Sequence, residues 1–278
     1  MSCDSFIYLE LVVMLFWNAD PIFLQLGPIS IHWYGILFAA GFLLGYYLMQ
    51  QIYKKEHQPT EQLDQLLTYI FIGTVVGARL AHTLIYEPDY YLAHPIEILE
   101  VWQGGLASHG GGLGVMLAIW YFVRKHPGNG FLWVADRLVI PTALTGCFIR
   151  LGNFMNSEIL GNPTHGDWGV VFERIDSIPR HPAQLYEAVC YLLTFLVLLA
   201  CYHKGKGKQS GFLFGLFMIL VFIARFGVEF FKTPQADYEA GFEITVGQWL
   251  SVPFIILGVF MFCRSYKASA NRGKISSQ

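Results

Sequence analysis

Apolar residues in this chain fall in runs of about 20, separated by short polar stretches. Within the runs hydrophobicity is continuous: 212–226 reads FLFGLFMILVFIARF and 192–202 reads LLTFLVLLACY. A membrane β-strand alternates apolar and polar positions over about ten residues, so these runs predict membrane-spanning helices and argue against a barrel. Seven spans follow, over about 31–53, 64–86, 106–123, 131–151, 183–202, 212–231 and 244–263. Glycines crowd the third, and Pro141 and Pro253 interrupt the fourth and seventh. Lipid tolerates such interruptions when neighbouring helices re-satisfy the backbone.

The predicted fold class is therefore all-α, a polytopic membrane protein of about seven transmembrane helices. Composition agrees. Of the 278 residues 54% are hydrophobic and only 14% charged, against about 25% charged in a soluble domain, and mean hydropathy is +0.45. Lys and Arg set the orientation. Eleven lie in alternate loops and the C-terminal stretch, at Lys54, Lys55, Arg124, Lys125, Lys204, Lys206, Lys208, Arg264, Lys267, Arg272 and Lys274. The opposite side keeps Arg174, Arg180 and Lys232, and the first 53 residues hold no Lys or Arg. The positive-inside rule then puts the N-terminus outside and the C-terminus in the cytoplasm. Three parts result: an external or interfacial segment over 1–30, a seven-span domain over 31–263, and a basic cytoplasmic tail over 264–278. The apolar stretch 6–17 lacks a basic start, contains Glu10 and has no small-residue cleavage site, so it is read as an interfacial or extra segment and not as a signal peptide.

A net charge of −2 and a pI near 6.5 offer nothing to nucleic acid. The five cysteines are scattered without CxxC spacing, and neither a disulfide framework nor a metal site is expected. Four arginines are the anomaly: Arg79, Arg137, Arg150 and Arg225 fall within or at the ends of predicted spans. At roughly 2.5 to 3.5 kcal/mol each at a helix centre, the set costs on the order of 10 kcal/mol unless compensated. Arg137 adjoins Asp136, and Arg225 stands four residues before Glu229, so local pairing is one reading. Arg79, Arg150 and Arg225 all lie towards the outer leaflet. Guanidinium forks gathered there suit a phosphate, and a phospholipid headgroup is the nearest candidate. Tyr34 enters the first span at the same level. His109 opens the third span just before Gly110-Gly111-Gly112, where small residues permit close approach. The segment 150–161 carries Arg150, Asn153, Asn156, Glu158 and Gly161 where the fourth span emerges, which reads as a polar pocket. Gln184 and Glu187 then open the fifth span, where a helix start favours an acid.

These residues together resemble the bacterial prolipoprotein diacylglyceryl transferases. The motifs are His32-Trp33-Tyr34-Gly35, Gly77-Ala78-Arg79-Leu80, the stretch from Tyr91 through Trp102-Gln103-Gly104-Gly105 to His109-Gly110-Gly111, the 150–161 segment, His181-Pro182-Ala183-Gln184-Leu185-Tyr186-Glu187, and the element from Arg225 to Pro234, similar to the family's RFxxEFxRxP. Ile149 replaces the usual first glycine of the family signature. Lys232 replaces an Arg and is read as peripheral to the chemistry. The resemblance implies an inner-membrane, multi-pass enzyme with its site towards the outer leaflet and no metal or soluble cofactor. It implies transfer of the diacylglyceryl group of phosphatidylglycerol to the lipobox cysteine of a preprolipoprotein signal peptide, leaving a thioether and releasing glycerol phosphate. His109, Arg225 and Tyr34 are the expected catalytic residues, with Arg150, Asn153, Glu158, Gly161, Arg79 and Glu229 binding substrate. The residues alone also admit a transporter or lipid-binding protein that holds an anion without chemistry, and a seven-span scaffold or receptor.

Overall fold

The computed structural model describes residues 14–101, 105, 107–166, 168–233 and 245–275. Among them are helices α1 (Trp33–Lys55), α2 (Glu61–Ala81), the short α3 (Pro88–Ala93), α4 (Ser108–Lys125), α5 (Phe131–Met155), α6 (Ala183–His203), α7 (Phe212–Glu229) and α8 (Val246–Ile275). Six are long and apolar enough to cross a membrane: α1, α2 with the π-helical turn that extends it to Tyr86, α5, α6, α7, and α8 over Gly247–Ala268. The chain is a polytopic helical membrane protein. The expected third span corresponds to α4, which falls short of that standard because its 18 residues begin at Ser108-His109 and finish on Arg124-Lys125. Pro141 and Pro253 lie inside continuous helices and interrupt neither. Beyond Cys263 the basic stretch continues α8 as far as Ile275.

The charged residues that end the runs also suit the helix termini. Lys54 and Lys55 close α1, Arg124 and Lys125 close α4, and Glu61 and Asp64 open α2. Each sign opposes the partial charge of its helix end.

Between helices the contact is made by missing side chains. Gly73 and Gly77 on α2 face Gly114 and Gly110 on α4, each pair four residues apart and so on one face. A Cβ on Gly110 would strike the Gly77 carbonyl oxygen, one on Gly77 the Gly110 oxygen, and one on Gly114 the Gly73 oxygen. The Ala107 amide donates to the Ala78 carbonyl at 3.0 Å where the two helices meet. Lipid gives helices no hydrophobic reason to associate, so such close backbone approach supplies the dispersion that does. The same device joins α7 to α8, where Gly215 and Gly258 face each other's backbone.

Helix α5 is the axis. Half of its spanning window is buried, against 22% for α1 and α2, and it packs against α1, α6 and α7. At the Lys-rich end two of its charges are satisfied, but not by each other as neighbours in sequence. Arg137 forms a bidentate pair with Glu56 at 2.8 Å and lies over the Trp133 ring, whose Nε1 donates to the same carboxylate at 3.1 Å. Asp136 is fully buried and accepts from the amides of Gly211 at 2.6 Å and Phe214 at 2.8 Å, closing the start of α7. Gly211, at φ +82°, supplies the left-handed turn that presents these amides.

At the opposite end the fold departs from the all-helical expectation. Strand β1 (Met14–Trp17) pairs parallel with β4 (Gly169–Phe172), and β5 (Pro179–Arg180) pairs antiparallel with β4. Strands β2 (Ile22–Leu26) and β3 (Ile29–His32) form a hairpin just before α1. The strands are short and mostly apolar, and extended backbone with free edges is tolerated at an end of the bundle where water can satisfy it, which lipid does not. Trp17 packs tilted against Phe154 with ring centres 4.5 Å apart, and Phe154 meets Phe172 edge-on at 5.6 Å, so the three-stranded sheet rests on the end of α5. The expected apolar stretch 6–17 is therefore described from Met14 onward as a docked strand. Its earlier residues lie outside the described ones.

Replacing Gly114 with Val drives Cβ into the Gly73 carbonyl and should destabilise the purified protein by about 3 kcal/mol. Gly112→Ala, whose Cβ meets nothing within 4 Å, should leave the thermal midpoint unchanged or raise it, because alanine favours a helix.

Candidate active site

One constellation sits at the sheet-bearing end of the bundle, and a second is a cavity that runs from His109 and Arg225 towards Ala135 and Phe214. The first is built where α5 ends. Glu187, on the first turns of α6, is fully buried and receives two cations. The Arg150 Nε stands 2.7 Å from its Oε2, and Lys232 Nζ donates to its Oε1 at 3.0 Å. Lys232 also donates to Glu229 Oε2 at 3.2 Å. From Arg150 a chain of polar contacts runs outward. Nη1 donates to Asn153 Oδ1 at 3.2 Å, Asn153 Nδ2 donates to Glu158 Oε2 at 3.1 Å, and Asn156 Nδ2 donates to Glu158 Oε1 at 3.1 Å. The turn that brings Glu158 back over α5 holds Ser157 at φ +56° and Ile159 at φ +55°. A β-branched residue rarely enters this region, and its strain is typical of a segment that the surroundings over-determine.

Gly161 and Tyr34 complete the frame. The chain around Gly161 bridges to Lys232, with the Asn162 amide donating to the Phe231 carbonyl at 2.7 Å and the Thr233 amide to the Leu160 carbonyl at 3.1 Å. A Cβ at Gly161 would collide with the His181 carbonyl oxygen, so a glycine lets three segments meet there. Tyr34 packs flat against Gly152 of α5, where a Cβ would come within 2.7 Å of its ring, and lies in electrostatic reach of Glu158 and Arg150.

The second constellation is a cavity of about 490 Å³ between α4, α5, α7 and α8. His109, Arg225 and Ser251 are the polar residues along one part of it, Thr142 lies apart from them on α5, and the remaining lining is apolar, with Phe214, Phe217, Phe222 and Phe254 among it. His109 is exposed on the first turn of α4. Arg225 forms no hydrogen bond or ion pair among the described residues. The helical pairing with Glu229 that the spacing allows is not made, because Glu229 turns to Lys232. Arg225 acts electrostatically on His109 and also on Tyr191, which lies beside Arg150 and Glu187. Arg225 thus links the cavity electrostatically to the polar network.

Arg79 stands apart. It is 3% exposed, its Nε donates to the Ile98 carbonyl at 3.0 Å, its Nη2 to the Glu97 carbonyl, and its guanidinium lies over the Tyr91 ring. These contacts fasten the 88–101 segment to α2. The motif residues Trp102, Gln103, Gly104 and Pro234 lie outside the described residues. Among the described residues no three His, Cys, Asp or Glu gather as a metal site.

Lys232 corrects the expectation that it is peripheral. It is 8% exposed and joins Glu187 to Glu229. The signal was its place in the RFxxEFxRxP-like element, where a cation recurs. Outside the spans, Asp176 forms a bidentate pair with Arg180, which holds its carboxyl below the usual range. Burial among Trp168, Tyr186 and Phe231 lowers the His181 pKa, favouring the neutral ring.

Comparison with known proteins accords with this geometry. Residues 21–264 match the model of the prolipoprotein diacylglyceryl transferase family. The chain belongs to this family. A phosphatidylglycerol–prolipoprotein diacylglyceryl transferase of Tolumonas auensis is 73% identical over 257 residues, covering 92% of this chain and 100% of its own. Proteins of the same name from Chloroherpeton thalassium and Bacteroides fragilis are 50% and 42% identical, over 91% and 94% of this chain and 95% and 99% of theirs. In this transferase-family chain Ile149 is half-buried, and α5 runs through it without a break to Arg150.

Glu187→Ala leaves Arg150 and Lys232 buried without their shared counter-charge and should cost about 3–5 kcal/mol, read as a lower thermal midpoint of the purified protein. For Asp176, whose folded pKa lies below the ordinary 3.8, the stabilisation is complete above that value and fades as pH falls through the folded pKa. Asp176→Asn should therefore lower the midpoint at pH 7, and the difference from wild type should shrink below about pH 4.

Proposed function

We propose that this protein transfers the diacylglyceryl group of phosphatidylglycerol to the lipobox cysteine thiol of preprolipoproteins at the outer leaflet of the bacterial inner membrane. Family membership supports the reaction. The observation that supports its location is the pairing of His109 with an uncommitted Arg225 along one cavity of about 490 Å³ that is otherwise apolar. An amphiphile with an anionic head and acyl tails fits such a lining.

In this reading the cysteine sulfur attacks the glyceryl carbon that carries the phosphate oxygen. The sulfur–carbon bond forms, the carbon–oxygen bond breaks, and glycerol phosphate leaves with one further negative charge. His109 takes the thiol proton. A thiol of pKa near 8.5 is only a few per cent thiolate at pH 7, so a positioned base raises the reactive fraction. Arg225 stands over the phosphate and stabilises the charge that develops as the bond breaks, free to do so because no carboxylate among the described residues occupies it. Arg150 is already engaged by Glu187 and Asn153, so it supplies a fixed positive field and the frame on which Asn153, Glu158 and Tyr34 meet the glycerol head. Glu229 acts through Lys232. Gly161 keeps the frame closed, and Arg79 holds the loop that borders the opening. With Lys-rich loops inside, α4 counts as the seventh crossing, and the sheet-bearing end faces outward.

The test is transfer to a lipobox peptide from phosphatidylglycerol, read as a diacylglyceryl mass gain on cysteine. Arg225→Ala should lose about 10²–10³-fold and His109→Gln about 10²-fold or more in turnover, with the thermal midpoint held. Arg150→Ala should lose both turnover and stability. Wild-type turnover from folded His109→Gln and Arg225→Ala proteins overturns the assignment.

A further inference from the structure

A cavity of about 520 Å³ opens at the other end of the bundle, where α6 turns into α7 and the later part of α8 passes. Its lining carries Lys208, Gln209, Ser210, Arg264 and Ser265, and no carboxylate. Asp136, fully buried, already takes the Gly211 and Phe214 amides and does not line the cavity. So the described lining offers basic and hydroxyl groups without an acid, and the start of α7 is not itself the donor. Ser265 is the decisive residue. It is 4% exposed, and its Oγ is buried with no hydrogen-bond partner among the described residues. A buried hydroxyl left alone is destabilising, so its place in the wall of a basic cavity calls for an acceptor within that cavity.

We propose that this cavity is a second binding site, for a phosphate group, held by Lys208, Arg264 and the Ser265 hydroxyl. A phosphate oxyanion accepts the Arg fork, the Lys ammonium and a hydroxyl together, which an uncharged ligand does not. Its depth fits an anionic phospholipid headgroup. Arg264 lies 17 residues, about 26 Å, along α8 from Gly247, which is most of the ~30 Å hydrocarbon thickness. Leu132 on α5 also lines this cavity, 18 residues or about 27 Å from Arg150, so the two sites are separated by the length of a span. Free phosphate shares the chemistry and is the other source.

Native mass spectrometry of the full chain in neutral detergent, titrated with phosphatidic acid, tests the site. Lys208→Ala/Arg264→Ala alters two exposed side chains and should weaken one lipid-binding event roughly 30-fold, two basic contacts having been removed. Ser265→Ala should weaken the same event roughly fivefold. Transfer to the lipobox peptide should be unchanged in both. If millimolar inorganic phosphate displaces that lipid from wild type but leaves the double variant unaffected, the site serves soluble phosphate. Failure of phosphate to displace it assigns a membrane lipid. Equal lipid binding by wild type and both variants overturns the proposal.

Discussion

A charge enclosed in a bundle that lipid surrounds must find its counter-charge inside the protein, and this structure is arranged around one such carboxylate. Glu187 is fully buried, and Arg150 from α5 and Lys232 beyond α7 both converge on it. Removing any partner leaves an uncompensated ion, so the network fixes how three helices and the 156–162 turn sit relative to one another. The turn pays its strain at Ile159 because Asn153 and Asn156 must reach Glu158 from the end of α5. At the Lys-rich end Arg137 with Glu56, and Asp136 with the start of α7, follow the same rule.

Against that background Arg225 is the exception, with no ion pair among the described residues. The other three spanning arginines are consumed by structure: Arg137 by Glu56, Arg150 by Glu187, Arg79 by loop carbonyls. Arg225 is left facing a cavity beside His109, with its i+4 acid diverted to Lys232. That diversion links architecture to chemistry. The lysine that helps neutralise Glu187 also pairs with Glu229.

Glycine faces decide where backbones touch. Where α2 meets α4, and α7 meets α8, glycines bring the backbones into contact. The α2–α4 seam is open on one side, where Gly73, Gly77, Gly110 and Gly114 line a cavity of about 590 Å³. Phe214, Phe217 and Phe222 of α7 and Phe254 of α8 border the separate cavity that His109 and Arg225 line.

The sequence by itself determined the helical membrane class, most span limits, and the list of charges that required an explanation, because hydropathy and charge are local properties read within a window of about 20 residues. It also marked His109, Arg150, Asn153, Glu158 and Arg225 through motifs. Only the tertiary structure decided which charge meets which. Sequence spacing favoured Arg137 with Asp136 and Arg225 with Glu229, yet Arg137 reached 81 residues back to Glu56 and Glu229 took Lys232. It likewise made Lys232 central, tied Arg79 to loop carbonyls, and folded short strands at one end of the bundle. Partner choice is a property of helices brought together from distant parts of the chain, and ions in low dielectric choose by distance in space, which spacing along one helix does not contain.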